Sequence, residues 1–164
     1  MTAELATKVT IVDADLSRAD HQNAIVAMLD AFMLDQDGVP LSEQGKREMI
    51  PGLRAHPACY VLLAYREGMP IGFSICFLGF STFLARPLLN IHDIFVDLSV
   101  RGRGIGAMLL ERIEAKARAL NCCRITLEVR EDNRVARALY RKEGFDRVVV
   151  GPERIPMEFW HKPL

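Results

Sequence analysis

The chain lacks a charge of either sign in excess: among its 164 residues Lys and Arg number 21 and Asp and Glu number 21. That balance excludes generic nucleic-acid binding, which needs a strong basic surplus. Aromatic residues reach only 7%, with a single tryptophan. The four cysteines, Cys59, Cys76, Cys122 and Cys123, contain no C-x-x-C pair, and adjacent Cys122 and Cys123 make no ordinary disulfide framework. The longest apolar run, Ile71 to Ala85, is broken by Ser74, Gly79, Ser81 and Thr82. It falls short of the roughly 20 residues that cross a bilayer. No secretory leader is read at the start. His21, His56 and His161 are scattered, so no metal site is expected. These absences predict a reduced, soluble, cytoplasmic protein with neither nucleic acid nor membrane as partner.

What remains is the composition of an ordinary globular chain, 50% hydrophobic and 26% charged. Its length suits one domain covering 1–164, which buries about two-thirds of its unfolded surface without disulfide or metal. The neutral total conceals an asymmetry. Arg101 to Arg147 holds 12 basic and 7 acidic residues, whereas the first 48 residues hold 4 basic and 9 acidic. A basic C-terminal segment suits an anionic ligand and an acidic N-terminal one a cationic ligand; solvated surface charge is the plainer alternative.

Periodicity orders the elements. Lys8–Asp13 alternates as a short strand. Ile25, Met28, Leu29 and Phe32 keep one helical face apolar, with Ser17 and Asp20 as a capping box before them. Ser42–Ala55 reads as a second helix interrupted near Pro51. Cys59–Arg66 and Ile71–Phe80 form a hairpin, and Leu89–Asp97 a further strand. Ile105, Leu109, Ile113, Ala117 and Leu120 mark a strong helix. Arg124–Arg130 is a strand, and Asn133–Lys142 a helix with Val135, Ala138 and Leu139 inward, stopped at Gly144. Phe145–Val150 and Ile155–Trp160 close the chain as strands. The order β-α-α-β-β-β-α-β-α-β-β is mixed α/β.

Between a strand and the strongest helix lies Arg101-Gly102-Arg103-Gly104-Ile105-Gly106, followed by Ala107. Glycines there let backbone approach a ligand closely, and free N–H groups of the first helical turn favour an anion, phosphate above all. Arg101 and Arg103 add positive charge. A tight turn that needs glycine only for its dihedrals is the structural alternative. Gly102-x-Gly104-x-x-Ala107 with Glu128 also fits a dinucleotide fingerprint, but only 36 residues follow Glu128, too few for the further βα units of that fold.

The run Ile91–Phe145 resembles the GNAT N-acetyltransferase family. The family's R/Q-x-x-G-x-G/A motif is met by Arg101, Gly104 and Gly106. Its N-x-x-A-x-x-L-Y-x-x-x-G-F pattern is met by Asn133, Ala136, Leu139, Tyr140, Gly144 and Phe145. The resemblance implies a single-domain acyl-CoA N-acyltransferase fold: a central, mostly antiparallel, twisted sheet with helices on both faces. It also implies acetyl-CoA as cosubstrate and a possible homodimer. Leu89–Ala107 is similar to diamine acetyltransferases, with His92 where those enzymes have Glu and Asp93 keeping their second acid. Leu127–Phe145 is similar to ribosomal-protein N-terminal acetyltransferases, whose Glu in LEV falls on Glu128.

On this resemblance Ile94, Phe95 and Val96 offer backbone groups to the pantetheine arm. Arg101, Gly102, Arg103, Gly104, Ile105, Gly106 and Ala107 hold the pyrophosphate, and Asn133 and Ala136 lie on the CoA side. An alkyl ammonium, with a pKa near about 10.4, must lose a proton before it attacks. Glu128 and His92 are the two candidate bases, Asp93 the group that holds the substrate cation, and Tyr140 the acid for the leaving sulfur. The acceptor implied is a small cationic, polyamine-like amine. The alternatives are a protein N-terminus or lysine, and a regulator that binds acyl-CoA without catalysis.

Overall fold

The structure of the protein is a computed structural model that describes residues 8–150, 152–156 and 162–163. Two compact units divide it, Met1–Glu128 and Val129–Leu164. The first holds β1 (Val9–Asp13), α1 (Ala19–Asp37), α2 (Glu43–Arg54), β2 (Cys59–Arg66), β3 (Met69–Ser81), β4 (Arg86–Val96), α3 (Ile105–Ala119) and β5 (Ile125–Leu127). The second holds α4 (Arg134–Lys142), β6 (Val149–Val150) and β7 (Ile155–Pro156). This is the expected order of elements and the expected mixed α/β class.

The strands of the first unit lie in sequence order, β1-β2-β3-β4-β5. Pairing is antiparallel from β1 to β4, and only β5 joins parallel, through the α3 crossover. The inner strands are buried on both faces, which is why β2 reads as an apolar run instead of an alternating one. Val61, Leu63, Phe73, Ile75 and Phe95 point into one core with Ile25, Met28 and Leu29 of α1 and Ile50 and Leu53 of α2. On the opposite face Lys116 of α3 sits 4.7 Å above the Tyr60 ring, and Arg112 pairs with Asp13 at 3.0 Å. Helices therefore cover both faces of this sheet.

Local chemistry sets the helix ends and corrects several expectations. Ser17 does not close a capping box; its N–H and hydroxyl both donate to Asp15. Asp20 pairs instead with Arg18, the N-cap residue of α1, which makes no side-chain cap bond. Gly38, at φ 68°, ends α1 in the left-handed region. Ser42 caps α2 by accepting from the Gly45 N–H at 3.0 Å. Pro51 lies inside α2 without interrupting it, and the helix runs on to Arg54. Proline removes one N–H, a loss a short terminal turn tolerates.

Strand lengths also differ from expectation. The strand expected over Arg124–Arg130 pairs only from Ile125 to Leu127, because β4, its partner among the described residues, bulges immediately afterwards. The strand expected over Phe145–Val150 starts at Val149, since the Asp146 carboxylate takes the Arg147 N–H that a ladder would need. Of the strand expected over Ile155–Trp160, Ile155–Pro156 pairs with β6 and residues 157–160 lie outside the described residues, as does His161. In α4, Val135 and Ala138 are exposed, not inward; Ala136 and Leu139 are half-buried and Tyr140 is buried. The large Tyr140 ring, packed on Phe145, sets that face. Among the described residues no helix is long and apolar enough to cross a membrane.

Phe73 has no exposed surface and its ring contacts Phe32 and Phe95, whereas Phe83 at the β3–β4 turn is 97% exposed. Phe73→Ala is therefore expected to cost about 3–5 kcal/mol in chemical denaturation. Phe83→Ala should stay within about 0.5 kcal/mol of the parent.

Candidate active site

One residue organises the site. β3 and β4 pair in register from Gly72↔Val96 to Ile75↔Asp93, and then Cys76 pairs with Ile91. His92 is thus an extra residue, a β-bulge. Were His92 paired as a regular strand residue, Ile91 and Asp93 would point to the same face. With the bulge, Ile91 lies opposite Cys76 on the α3 face, while Asp93 lies opposite Ile75 on the face covered by α1 and α2. The His92 ring reaches that same face, edge-on to Phe77 at 5.6 Å. Two adjacent residues therefore present polar side chains on one side, which regular alternation forbids. Buried Ser74 fixes the bulge from β3 by donating its hydroxyl to the Asp93 carbonyl at 2.9 Å.

The bulge also re-aims the backbone. β5 pairs with β4 only from Leu89 to Ile91, where Asn90 Nδ2 donates to Thr126 Oγ1 at 3.0 Å. Beyond that, the Asp97 N–H donates to the Ile71 carbonyl, so by the antiparallel alternation residues 93, 95 and 97 face β3. The peptide groups of Ile94 and Val96 consequently face away from β3, on the side that β5 has left open. Phe95 contributes differently: its side chain is buried against Phe32 and Phe73.

Glu128 follows directly after β5 and is exposed. It is close enough to act electrostatically on Asp93. Burial pushes the Asp93 carboxyl above its usual value, His92 draws it part of the way back, and Glu128 adds to the rise. His56, at the end of α2, lies edge-on to the other side of Phe77 at 6.0 Å. The sheet thus brings His92, Asp93 and Glu128 together, with Phe77 and His56 as neighbours. Nothing in the sequence singled out His56 or Phe77: both lie far from the motifs, and only strand register puts them here.

After Val96 the chain makes a 3-10 turn over Leu98–Val100 and enters the glycine loop. Gly102 and Gly104 have φ of 76° and 81°, and a Cβ on either would meet no atom within 4 Å. The turn that requires glycine is therefore present at both positions, and the space beside their backbone is unfilled by other protein atoms. Ile105 is buried and starts α3; Gly106 and Ala107 follow in its first turn. Arg103 is exposed and has no side-chain partner among the described residues. Arg101 is bound: its Nε donates to the Val96 carbonyl at 2.9 Å, and a terminal nitrogen donates to Asp35 at 2.8 Å. Asp35 is 66 positions away in sequence, and no local pattern points to it.

Asn133, Ala136 and Tyr140 stand in the second unit. Asn133 caps α4, its side-chain oxygen accepting from the Ala136 N–H at 3.1 Å. Tyr140 packs on Phe145, and burial pushes its phenol up from the ordinary value. The hydroxyl therefore keeps its proton across the neutral range. Among the described residues no group of His, Cys, Asp and Glu is arranged to hold a metal.

The profile of the acetyltransferase (GNAT) family matches residues 21–145. N-alpha-acetyltransferase RimI of Mycobacterium tuberculosis is 34% identical over 135 residues, covering 81% of this chain and 77% of that protein. An uncharacterised protein of Mycobacterium leprae is 44% identical over 67 residues, 41% of this chain but only 18% of that protein's length. Among solved structures, an integron cassette protein from the mobile metagenome of V. cholerae superposes with a TM-score of 0.75 at 22% identity, covering 93% of each chain. That last likeness concerns the fold alone.

The raised Asp93 carboxyl has a consequence for stability. A carboxyl that holds its proton more tightly folded than unfolded stabilises most below the usual carboxylate range, and loses that contribution as pH rises through its folded value. Asp93→Asn removes the dependence. The variant is expected to melt above the parent at pH 7, with the gap closing towards pH 4. Thermal melts across that range check it, and a variant that melts lower at pH 7 would mean that the anion is held favourably.

Proposed function

We propose that this chain, which belongs to the acetyltransferase (GNAT) family, moves the acetyl group of acetyl-CoA onto the primary amine of a small cationic acceptor, with both substrates bound together. The observation that carries the reading is the open edge of β4. There the peptide groups of Ile94 and Val96 face away from β3, beside the bulge that presents His92 and Asp93 and just ahead of the glycine loop. A strand edge of this kind pairs with amide-bearing ligands, as the pantetheine arm is. The cradle at Gly102 and Gly104, open where a side chain would stand, fits a pyrophosphate. Acetyl-CoA supplies an activated acetyl group as its thioester.

The residues of the chain do the rest. Loop N–H groups and the charge of Arg103 hold the phosphates. Asp93, half-buried, holds the acceptor's ammonium, and in doing so regains the stability its burial cost. Glu128, exposed beside it, takes the amine proton at its carboxylate. Tyr140 gives its phenolic proton to the departing sulfur and is restored by the proton the nitrogen sheds as the amide forms, so the proton taken by Glu128 is the one released to solvent. Residues 1–164 act as one N-acetyltransferase domain in this reading, and the free thiols of Cys59, Cys76, Cys122 and Cys123 suit the cytoplasm. A second reading, transfer to a protein N-terminus, is favoured by the likeness to RimI.

CoA release from acetyl-CoA, followed with diamines, aminoglycosides and short peptides, separates the two. Turnover of the diamines supports the first reading, and turnover of peptides alone moves the acceptor to the second. With a responsive acceptor, Glu128→Gln is expected to lower single-turnover transfer by roughly 10²–10⁴-fold, and His92→Gln far less. The reverse order assigns the base to His92. Tyr140→Phe should slow transfer while leaving acetyl-CoA affinity in place, the pattern of an interaction made chiefly in the transition state. Acetyl-CoA binding without transfer to any amine would mark a regulator.

A further inference from the structure

The two arginines of the glycine loop are in different situations. Arg103 is exposed and, among the described residues, has no side-chain partner. Arg101 is held at three points. Its Nε donates to the Val96 carbonyl at 2.9 Å, one of its terminal nitrogens donates to Asp35 at 2.8 Å, and its Cζ lies 5.3 Å from the centre of the Phe95 ring. Asp35 is in the last turn of α1, with only 18% of its side chain exposed. Phe95 continues the contact into the core through Phe32 of α1 at 5.6 Å. The guanidinium thus bridges the end of α1, the end of β4 and the start of the loop.

That placement decides what Arg101 can do. A planar guanidinium with two of its nitrogens engaged and its carbon over an aromatic ring is fixed in direction. Turning it to a phosphate would leave Asp35 without its charged partner in a half-buried position, at a cost that Arg103 does not incur. The carbonyl it occupies, Val96 O, is one of the groups facing the open edge, so Arg101 already takes one of that oxygen's two acceptor positions. The tied turn of α1 belongs to the layer that covers the face where His92 and Asp93 project.

We propose that Asp35 and Arg101 form a strut that sets the last turn of α1 against the end of β4 and so shapes the acceptor's side of the site, while Arg103 is the loop cation that meets the pyrophosphate. The inference rests on the acetyl-transfer reading for the identity of the two ligands. Asp35 and Arg101 are positioning residues: they act on the acceptor through α1. The strut couples the two halves of the site, since it joins the strand edge that takes one substrate to the helix that borders the other.

The test compares Asp35→Asn, Arg101→Gln, Arg101→Lys and Arg103→Gln in the full chain. Acetyl-CoA affinity is read by calorimetry, KM and kcat with the best acceptor by steady-state rates, and amide exchange over residues 34–38 by mass spectrometry without ligand. Asp35→Asn and Arg101→Gln are expected to raise acceptor KM about threefold to tenfold, to speed exchange in the last turn of α1, and to keep acetyl-CoA affinity within about twofold. Arg101→Lys keeps the charge but not the two-point hold, and should fall between Arg101→Gln and the parent. Arg103→Gln should weaken acetyl-CoA about threefold or more and leave the exchange unchanged. The strut is overturned if Arg101→Gln loses acetyl-CoA affinity as Arg103→Gln does while Asp35→Asn behaves as the parent. It is overturned too if exchange over residues 34–38 is the same in all variants. A parent protein that acetylates no amine defeats the transfer reading instead; the exchange measurement then decides for or against the strut on its own.

Discussion

The single extra residue in β4 is the constraint on which the rest of the site depends. Side chains and peptide groups of a strand alternate with period two, so one inserted residue reverses both patterns from that point on. At His92 the reversal puts His92 and Asp93 on one face and turns the peptide groups of Ile94 and Val96 towards the open side. It also ends the β4–β5 ladder, since β5 cannot follow a strand whose pairing groups have changed phase. The early end of the β4–β5 ladder, the polar side chains of His92 and Asp93 on one face and the peptide groups of Ile94 and Val96 turned away from β3 all follow from that insertion, with the Val96 carbonyl then taken by Arg101.

Such an arrangement has an energetic cost, and the surrounding structure meets it locally. The bulge needs a partner for its carbonyl on the β3 side, and Ser74, a fully buried hydroxyl, donates to Asp93 O. The Asp93 carboxyl is left in a half-buried place beside a second carboxylate, where ionisation is disfavoured. A site that binds a cation gains from that tension, because the ligand supplies the charge the protein withholds. The aromatic core of Phe32, Phe73 and Phe95 carries the mechanical load underneath: it anchors the far end of β4 against α1. The order of the strand edge therefore depends on ordinary packing at Phe95, the residue between the outward-facing peptide groups of Ile94 and Val96.

Charge in the loop region is organised more narrowly than its composition implies. The basic excess of residues 101–147 suggested a broad attraction for an anion, yet Arg101, Arg112, Arg118 and Arg130 are each tied to a carboxylate. Within the glycine loop that leaves Arg103 as the guanidinium with no side-chain partner among the described residues, next to Gly102 and Gly104.

By itself the sequence determined the class and order of the elements, because hydrophobic periodicity and turn chemistry are local properties. The α3 stripe of Ile105, Leu109, Ile113 and Ala117, the hairpin of β2 and β3 and the glycine loop were legible for that reason. The motif positions at Arg101, Gly104, Gly106, Asn133 and Tyr140 were legible too, since each lies at a fixed spacing from its neighbours. Tertiary structure alone decided what depends on register and on distance across the fold. A bulge shows itself only against the partner strand: nothing in Ile91-His92-Asp93 distinguishes an inserted residue from a regular one. The inward face of α4, which fell to Tyr140 and not to the expected Val135 and Ala138, was set by packing. Asp35 meets Arg101 across 66 residues because a strand, a helix end and a loop converge, and no local pattern records that convergence.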